Sequence, residues 1–270
     1  MFECVINISE GRNLDLLDEL RVTAGHSLRD LHADPFHNRS VFTLINDAER
    51  LQRDVRTLIS ESFQTLDLRS HEGVHPRFGV VDVVPFVALE PEEPSRSVEL
   101  RDVTAQWISE TFEVPVFLYG PLEGVLRSLP EVRKRAFGDL APDFGPSTPS
   151  TTLGAVAVGA RPILIAWNLW LSGVSRDETR ALAKAVRRNQ VRALALRAGD
   201  HLQVSCNLID PMVVGPSSVY DEVAALLPDG GQIVRAELVG LLPQAVLESE
   251  DRSRWDQLGL SEDQTIESRL

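Results

Sequence analysis

One order of elements constrains this 270-residue chain more than any other feature. Phe2 to Ile8 reads as a strand, ended by Ser9-Glu10-Gly11, and a helix follows from about Asn13 to Ala24 with Leu14, Leu17 and Leu20 on one face. Leu28 to Ala33 is a short strand, Asp34-Pro35-Phe36-His37-Asn38 turns the chain, and Ser40 to Ile45 is its partner strand. Asp47 suits the N-cap of a helix in which Leu51, Val55, Leu58, Ile59 and Ser62 keep helical spacing. A β-branched strand, Val80 to Val84, completes the set. The same order recurs later. Ile163 to Leu169 is a strand, and Ser175-Arg176-Asp177-Glu178 has capping-box form before a helix bearing Leu182 and Val186. Val191 to Arg197 and Leu202 to Leu208 flank the turn Ala198-Gly199-Asp200; a helix with Val219, Val223 and Leu226 and the strand Ile233 to Leu238 end the second set. Strand, helix, strand, strand, helix, strand, met twice, predicts an α+β chain. The expected form is two ferredoxin-like (βαββαβ) subdomains, with antiparallel or mixed sheets and helices packed on them. No residue-by-residue repeat accompanies the pattern.

Between the two sets lie a helix from about Ser95 to Glu113, a strand Val114 to Tyr119, and the turn-rich run Ala141 to Gly154. That run has too much proline, glycine and hydroxyl for a helix or a central strand. It reads equally as a linker or as a polar loop that offers hydroxyls and backbone N–H groups to a ligand. From Glu248 onward the chain is strongly charged and is expected on the surface.

With a formal net charge of −13 the chain lacks the basic surface that nucleic acid or an anionic membrane requires. A few arginines in a cleft can still reverse the local field toward an anionic small molecule. Cys4 and Cys206 are too few for a disulfide framework, which points to a reducing compartment. The start, Met1-Phe2-Glu3-Cys4, does not have signal-peptide form, and no apolar run approaches spanning length; a cytoplasmic protein is expected.

The chemistry-bearing stretch is His71 to Phe86, two imidazoles and a carboxylate on a glycine–proline loop that runs past Arg77 into the Val80 strand. A loop ending on a buried strand holds polar groups on a rigid base. Val74-His75-Pro76 is non-helical, because the residue before proline is pushed toward extended geometry. His32/His37 and His71/His75 can be read as metal-ligand pairs or as surface and hydrogen-bonding histidines; neither pair has the helical face of an HExxH site. No Gly-x-Ser-x-Gly elbow, Walker loop or GxGxxG loop occurs, and both cysteines sit in strands. What remains is a histidine acting alone as general acid/base, with His75 the best candidate and a structural, backbone-bonded histidine the competing reading. Arg39, Arg69 and Arg77 flank the histidine-bearing loops, as a carboxylate-binding site would require or as solvated surface groups.

The stretch His71-Glu72-Gly73-Val74-His75-Pro76-Arg77, with Gly79 and Asp82-Val83-Val84-Pro85-Phe86 behind it, resembles the formiminotransferase domain of formimidoyltransferase-cyclodeaminase and its free-standing bacterial relatives. Asn7-Ile8-Ser9-Glu10-Gly11, Asn38-Arg39-Ser40-Val41-Phe42-Thr43, Val114 to Gly120, Ala141 to Pro146 and Val239 to Pro243 match in family order over nearly the whole chain.

The resemblance implies a pair of ferredoxin-like subdomains, residues 1–160 with the catalytic histidine and folate loop and residues 161–270 with the charged tail. It implies transfer of the formimino group of N-formiminoglutamate to N5 of tetrahydrofolate, the acceptor substrate, with no metal. A formyl donor (5-formyltetrahydrofolate with glutamate) and a non-catalytic folate-binding protein are the alternatives. By the same resemblance His75 is the catalytic residue, and the folate loop maps onto Gly145-Pro146-Ser147-Thr148-Pro149-Ser150-Thr151-Thr152-Leu153-Gly154. Asn7, His32, Asn38, Arg39 and Arg77 are the expected substrate-binding residues, with Arg39 and Arg77 on carboxylates. His32 stands where relatives often carry an acidic residue, and Ile6-Asn7 where the family commonly has Pro-Asn. The implied partners are small-molecule substrates and a second copy in a homodimer, with neither nucleic acid nor membrane.

Overall fold

The computed structural model describes residues 1–90 and 93–270, and the chain divides into two units, Met1–Pro162 and Ile163–Leu270. In the first, β1 (Phe2–Ile8) sends Phe2, Cys4, Ile6 and Ile8 into the core. Strand alternation turns Glu3, Val5 and Asn7 to the opposite face. α1 (Leu14–Thr23) begins at Asn13, whose side chain accepts from the Leu16 N–H. β2 (Leu28–Asp34) and β3 (Arg39–Asn46) follow, then α2 (Ala48–Thr65), capped by Asp47 through the Glu49 and Arg50 N–H groups as its sequence predicts. β4 (Val81–Ala88) closes the first βαββαβ set. These strands lie in the order β2-β3-β1-β4, every neighbour antiparallel.

The chain then extends that sheet. α3 (Pro94–Phe112) leads into β5 (Val116–Leu122), β6 (Val125–Arg127) and α4 (Leu129–Arg135), and β7 (Val156–Ala160) enters parallel between β4 and β5. Among the described residues the sheet is seven-stranded and mixed, β2-β3-β1-β4-β7-β5-β6. Sequence pattern led to neither β6, α4 nor β7. α1, α2 and α3 cover one face through Leu17, Leu20, Leu51, Val55, Leu58, Leu100 and Ile108. α4 covers part of the other, where Val132 packs with Val83, Phe117, Tyr119, Ala155 and Ala157. The uncapped remainder of that second face carries Asn7 and Arg39.

The second unit keeps the plain pattern: β8 (Ile165–Ser172), α5 (Arg176–Ala185), β9 (Val191–Ala198), β10 (His201–Leu208), α6 (Pro216–Leu226) and β11 (Gln232–Val239). Its antiparallel order is β11-β8-β10-β9, the split arrangement of the first set again. Ser175 and Glu178 form the reciprocal capping box that their spacing predicts. The tail is largely at the surface, with a few apolar residues docked. After α7 (Gln244–Ser249) and α8 (Trp255–Leu258), Leu258, Leu260 and Ile266 are buried. Trp167 Nε1 donates to the Leu258 carbonyl at 2.8 Å, and the Ile266 N–H to the Leu242 carbonyl at 2.8 Å. Single apolar anchors spaced among acidic and basic residues pack the segment on its unit.

Candidate active site

Backbone contacts draw three separated motifs into one knot in the first unit. Ser9 donates its N–H to the Val80 carbonyl and its hydroxyl to the Gly79 carbonyl, each at 2.8 Å, fastening the end of β1 to the entry of β4. One Glu10 carboxylate oxygen accepts the N–H groups of Gly11, Arg12 and Asn13 at 2.6–2.9 Å. Asn38, in the left-handed region at φ 48°, accepts the Gly11 N–H on its side-chain oxygen and donates its amide to the Glu72 carbonyl. At Gly73 an added Cβ would lie 2.3 Å from the His37 carbonyl oxygen, so only glycine lets the two loops meet. His71 Nε2 lies 2.9 Å from the Asn38 carbonyl and 3.3 Å from an Arg77 nitrogen that can only donate. The shorter contact makes Nε2–H the donor to the carbonyl, and His71 serves as a strut between loops.

At the centre of the knot is a charge that sequence reasoning missed. Asp82 of β4 is fully buried, and a lone carboxylate between Val81 and Val83 demands partners. Its Oδ1 accepts the Phe78 N–H at 2.6 Å, and its Oδ2 accepts Arg39 Nη1 at 2.5 Å and Arg133 Nη2 at 2.6 Å. Burial alone would raise its pKa; Arg39, Arg133 and the Phe78 bond overcome that and hold it at about 2. Arg39 Nε also donates to the Asn7 side-chain oxygen at 3.2 Å. Arg133 reaches in from α4 across the ring of Phe78, 5.1 Å from its centroid. The basic run Arg133-Lys134-Arg135 looks like a solvated helix end. The available signal was Ser128-Leu129-Pro130-Glu131, which forms a capping box and starts α4 there.

His75 sits beside this cluster, half-buried, its ring 5.7 Å from that of His37. Its Nδ1 lies 2.7 Å from the Pro76 carbonyl. A carbonyl only accepts, so Nδ1 carries the proton and Nε2 keeps its lone pair. Burial and the Arg39 charge push the imidazole down to about 3, against the opposing pull of the Pro76 bond and Asp82. The ring is therefore neutral across the physiological range. Arg77 turns back on the loop, donating Nη2 to the His75 carbonyl at 3.0 Å.

The 145–154 run splits in two. Gly145, Pro146, Ser147, Thr148 and Pro149 are exposed, whereas Ser150, Thr151, Thr152, Leu153 and Gly154 form a tight turn closed by reciprocal Ser150–Gly154 backbone bonds of 2.9 Å. That turn is joined to the flank of the histidine loop. The Leu68 N–H donates to the Thr152 carbonyl at 2.7 Å, the Val80 N–H to the Leu153 carbonyl at 3.0 Å, and the Ala155 N–H to the Phe78 carbonyl at 3.2 Å. Gly154 has φ +76°, and a Cβ there would meet the Phe78 carbonyl oxygen at 2.2 Å. Gly154→Ala is expected to destabilise the unit by about 1–3 kcal/mol, seen as a lower thermal midpoint; an unchanged midpoint contradicts the packing described.

Of the sequence-derived site residues, Asn7, Asn38, Arg39, His75, Arg77 and the second half of the 145–154 run are brought together. His32, on β2, pairs with Val41 of β3, which pairs with Asn7 of β1. It shares a row and a sheet face with Asn7, two strand spacings or about 10 Å away. Among the described residues no group of three His, Cys, Asp or Glu side chains is placed to hold a metal. A groove of about 370 Å³ lies in the second unit, lined by Gln244, Leu247, Arg252, Trp255 and Glu262, and contains no imidazole or thiol that could carry the chemistry.

Comparison with known proteins gives the family. Residues 1–161 match the family model described as formiminotransferase domain, N-terminal subdomain. A glutamate formimidoyltransferase of Streptococcus pyogenes serotype M1 is 32% identical, covering 91% of this chain and 90% of that relative. One of Thermoplasma acidophilum is 31% identical, covering 92% and 89%. The formimidoyltransferase-cyclodeaminase of Rattus norvegicus is 31% identical over 92% of this chain, which spans about half (51%) of that longer protein. The chain belongs to the formiminotransferase domain family, and it is accordingly a transferase.

Proposed function

We propose that the protein is a glutamate formimidoyltransferase, moving the formimino group of N-formiminoglutamate to N5 of tetrahydrofolate, a reaction of histidine degradation and one-carbon metabolism. The observation that carries this reading is the tautomer of His75: a neutral ring with its proton fixed on Nδ1 and its lone pair on Nε2, above a rigid cationic floor. N5 of the folate attacks the formimino carbon and a tetrahedral intermediate forms. His75 Nε2 takes the N5 proton and passes it to the glutamate nitrogen. The C–N bond to glutamate then breaks, giving 5-formiminotetrahydrofolate and glutamate. One imidazole serves both transfers because the proton that one nitrogen loses is the proton that the other needs. Asn7 and Arg39 lie on the side where the donor would be held, Arg77 and Asn38 fix the loop, and the exposed Gly145–Pro149 stretch offers hydroxyls and backbone to the folate. His32 supplies a polar group at the outer end of the same row. The reading places both substrates as free small molecules and, on family resemblance, makes the protein a cytoplasmic homodimer.

Incubation with N-formiminoglutamate and tetrahydrofolate is expected to yield 5-formiminotetrahydrofolate. Folate binding without product would leave a non-catalytic folate-binding protein, and turnover only with 5-formyltetrahydrofolate and glutamate would make the transferred group formyl.

A further inference from the structure

Asp82 is asked to neutralise more charge than it carries. Its single negative charge is shared by two guanidiniums, Arg39 and Arg133, which meet on the same oxygen. Asp82 has no exposed surface, whereas the side chains of Arg39 and Arg133 keep 12% and 21% of theirs. Of the five N–H groups that each guanidinium offers, Arg39 uses one on Asn7 and one on Asp82. Arg133 uses one on Asp82 and a long 3.4 Å contact to the Pro76 carbonyl. None of the remaining nitrogens of either side chain is buried without a partner. A positive surplus with free planar N–H groups at a solvent-reachable rim, next to His75, is a receptor for a carboxylate.

We infer that Arg133, jointly with Arg39, binds a carboxylate of the amino-acid donor, with Asp82 positioning the two guanidiniums as a fork. The inference rests on the reading given under Proposed function for the identity of the substrate, but not for the binding itself. Arg77, by contrast, has turned its fork to the His75 carbonyl and braces the loop. The clamp also bears on the base. The charged and titratable groups around His75 are Arg39, Asp82 and His37, with Arg77 on its carbonyl and Arg133 behind Asp82. Arg39 is the nearby charge that most opposes protonation of the ring. A substrate carboxylate on the fork offsets that charge, so an occupied site makes His75 a better proton acceptor than an empty one.

The test measures binding of glutamate, the product amino acid, by calorimetry to the wild-type protein and to Arg133→Gln, Arg133→Lys and His75→Ala. Arg133→Gln is expected to weaken glutamate about 10- to 100-fold, with Arg133→Lys intermediate. It is also expected to erase the preference of the wild-type protein for glutamate over whichever of glutamine or the glutamate α-amide lacks the clamped carboxylate. By NMR the His75 imidazole should titrate at higher pH with glutamate bound, and this shift should vanish in Arg133→Gln. The affinity for 5-formyltetrahydrofolate should stay within about twofold; a loss confined to the folate would assign the clamp to the glutamyl tail of the folate and overturn the inference. Unchanged glutamate affinity with a lowered thermal midpoint would overturn it too, leaving Arg133 as a structural partner of Asp82. Failure of the catalytic reading is separate: His75→Ala would then turn over normally while Arg133→Gln still loses glutamate.

Discussion

His75→Ala is expected to lower the rate of 5-formiminotetrahydrofolate formation by about 10²- to 10⁴-fold, the range for loss of one positioned acid/base. The loss should fall on kcat more than on KM, because in the proposed mechanism the imidazole handles protons and the arginines handle carboxylates. His75 is half-buried, its ring bonds to the carbonyl of the next residue, and its own carbonyl, which accepts from Arg77, is kept in the variant, so removal of the ring leaves the Asp82 knot intact. The thermal midpoint of the variant should therefore stay near that of the parent. A variant that turns over normally would remove His75 from the reaction; one that is inactive but unfolded would point to a structural histidine.

Asp82→Ala should be the most destabilising single change in the first unit, at about 3–5 kcal/mol by urea unfolding. Removing the carboxylate leaves two guanidiniums facing each other, and the Phe78 N–H without its acceptor. Arg133→Gln should cost much less, because Asp82 keeps Arg39 and the Phe78 bond. The same cluster sets the response to acid. Asp82 has its folded pKa depressed from 3.8 to about 2, so its contribution is complete above the unfolded value and is lost as pH falls toward 2. His75 adds to this, since a ring held neutral down to about 3 must be charged in the unfolded chain below 6.5. Stability should decline as pH drops below about 6.5 and more steeply below 4. Asp82→Ala should flatten the lower part of that decline.

The repeated element order in the sequence was enough for the two sheets, because the signals were local. Alternation in Phe2–Ile8, the Asp47 cap and the Ser175–Glu178 box each act within a few residues. Of the three-strand extension only β5 was legible, as the strand Val114 to Tyr119. β7 is a run of Val, Ala and Gly that becomes a strand only because β4 and β5 bind it on both sides. The site was legible in its loops and hidden in its charges. His75 and Asn38 lie on glycine- or proline-marked turns, and Arg39 directly follows one at the start of β3. Arg133, by contrast, is 51 residues from the carboxylate that it meets and lies within a basic run. Asp82 could have been suspected, since a carboxylate inside a valine strand must be paired. The tail's charge marks a surface segment, and Leu258, Leu260 and Ile266, spaced singly among its charges, are the residues that dock it.

A crystal structure of the protein with 5-formyltetrahydrofolate bound tests the acid/base assignment most directly, because geometry precedes pKa in any such assignment. The account predicts the N5 substituent within about 3.5 Å of His75 Nε2 and the Gly145–Gly154 run against the ligand. A folate bound elsewhere, with Nε2 of His75 open to solvent, would contradict it.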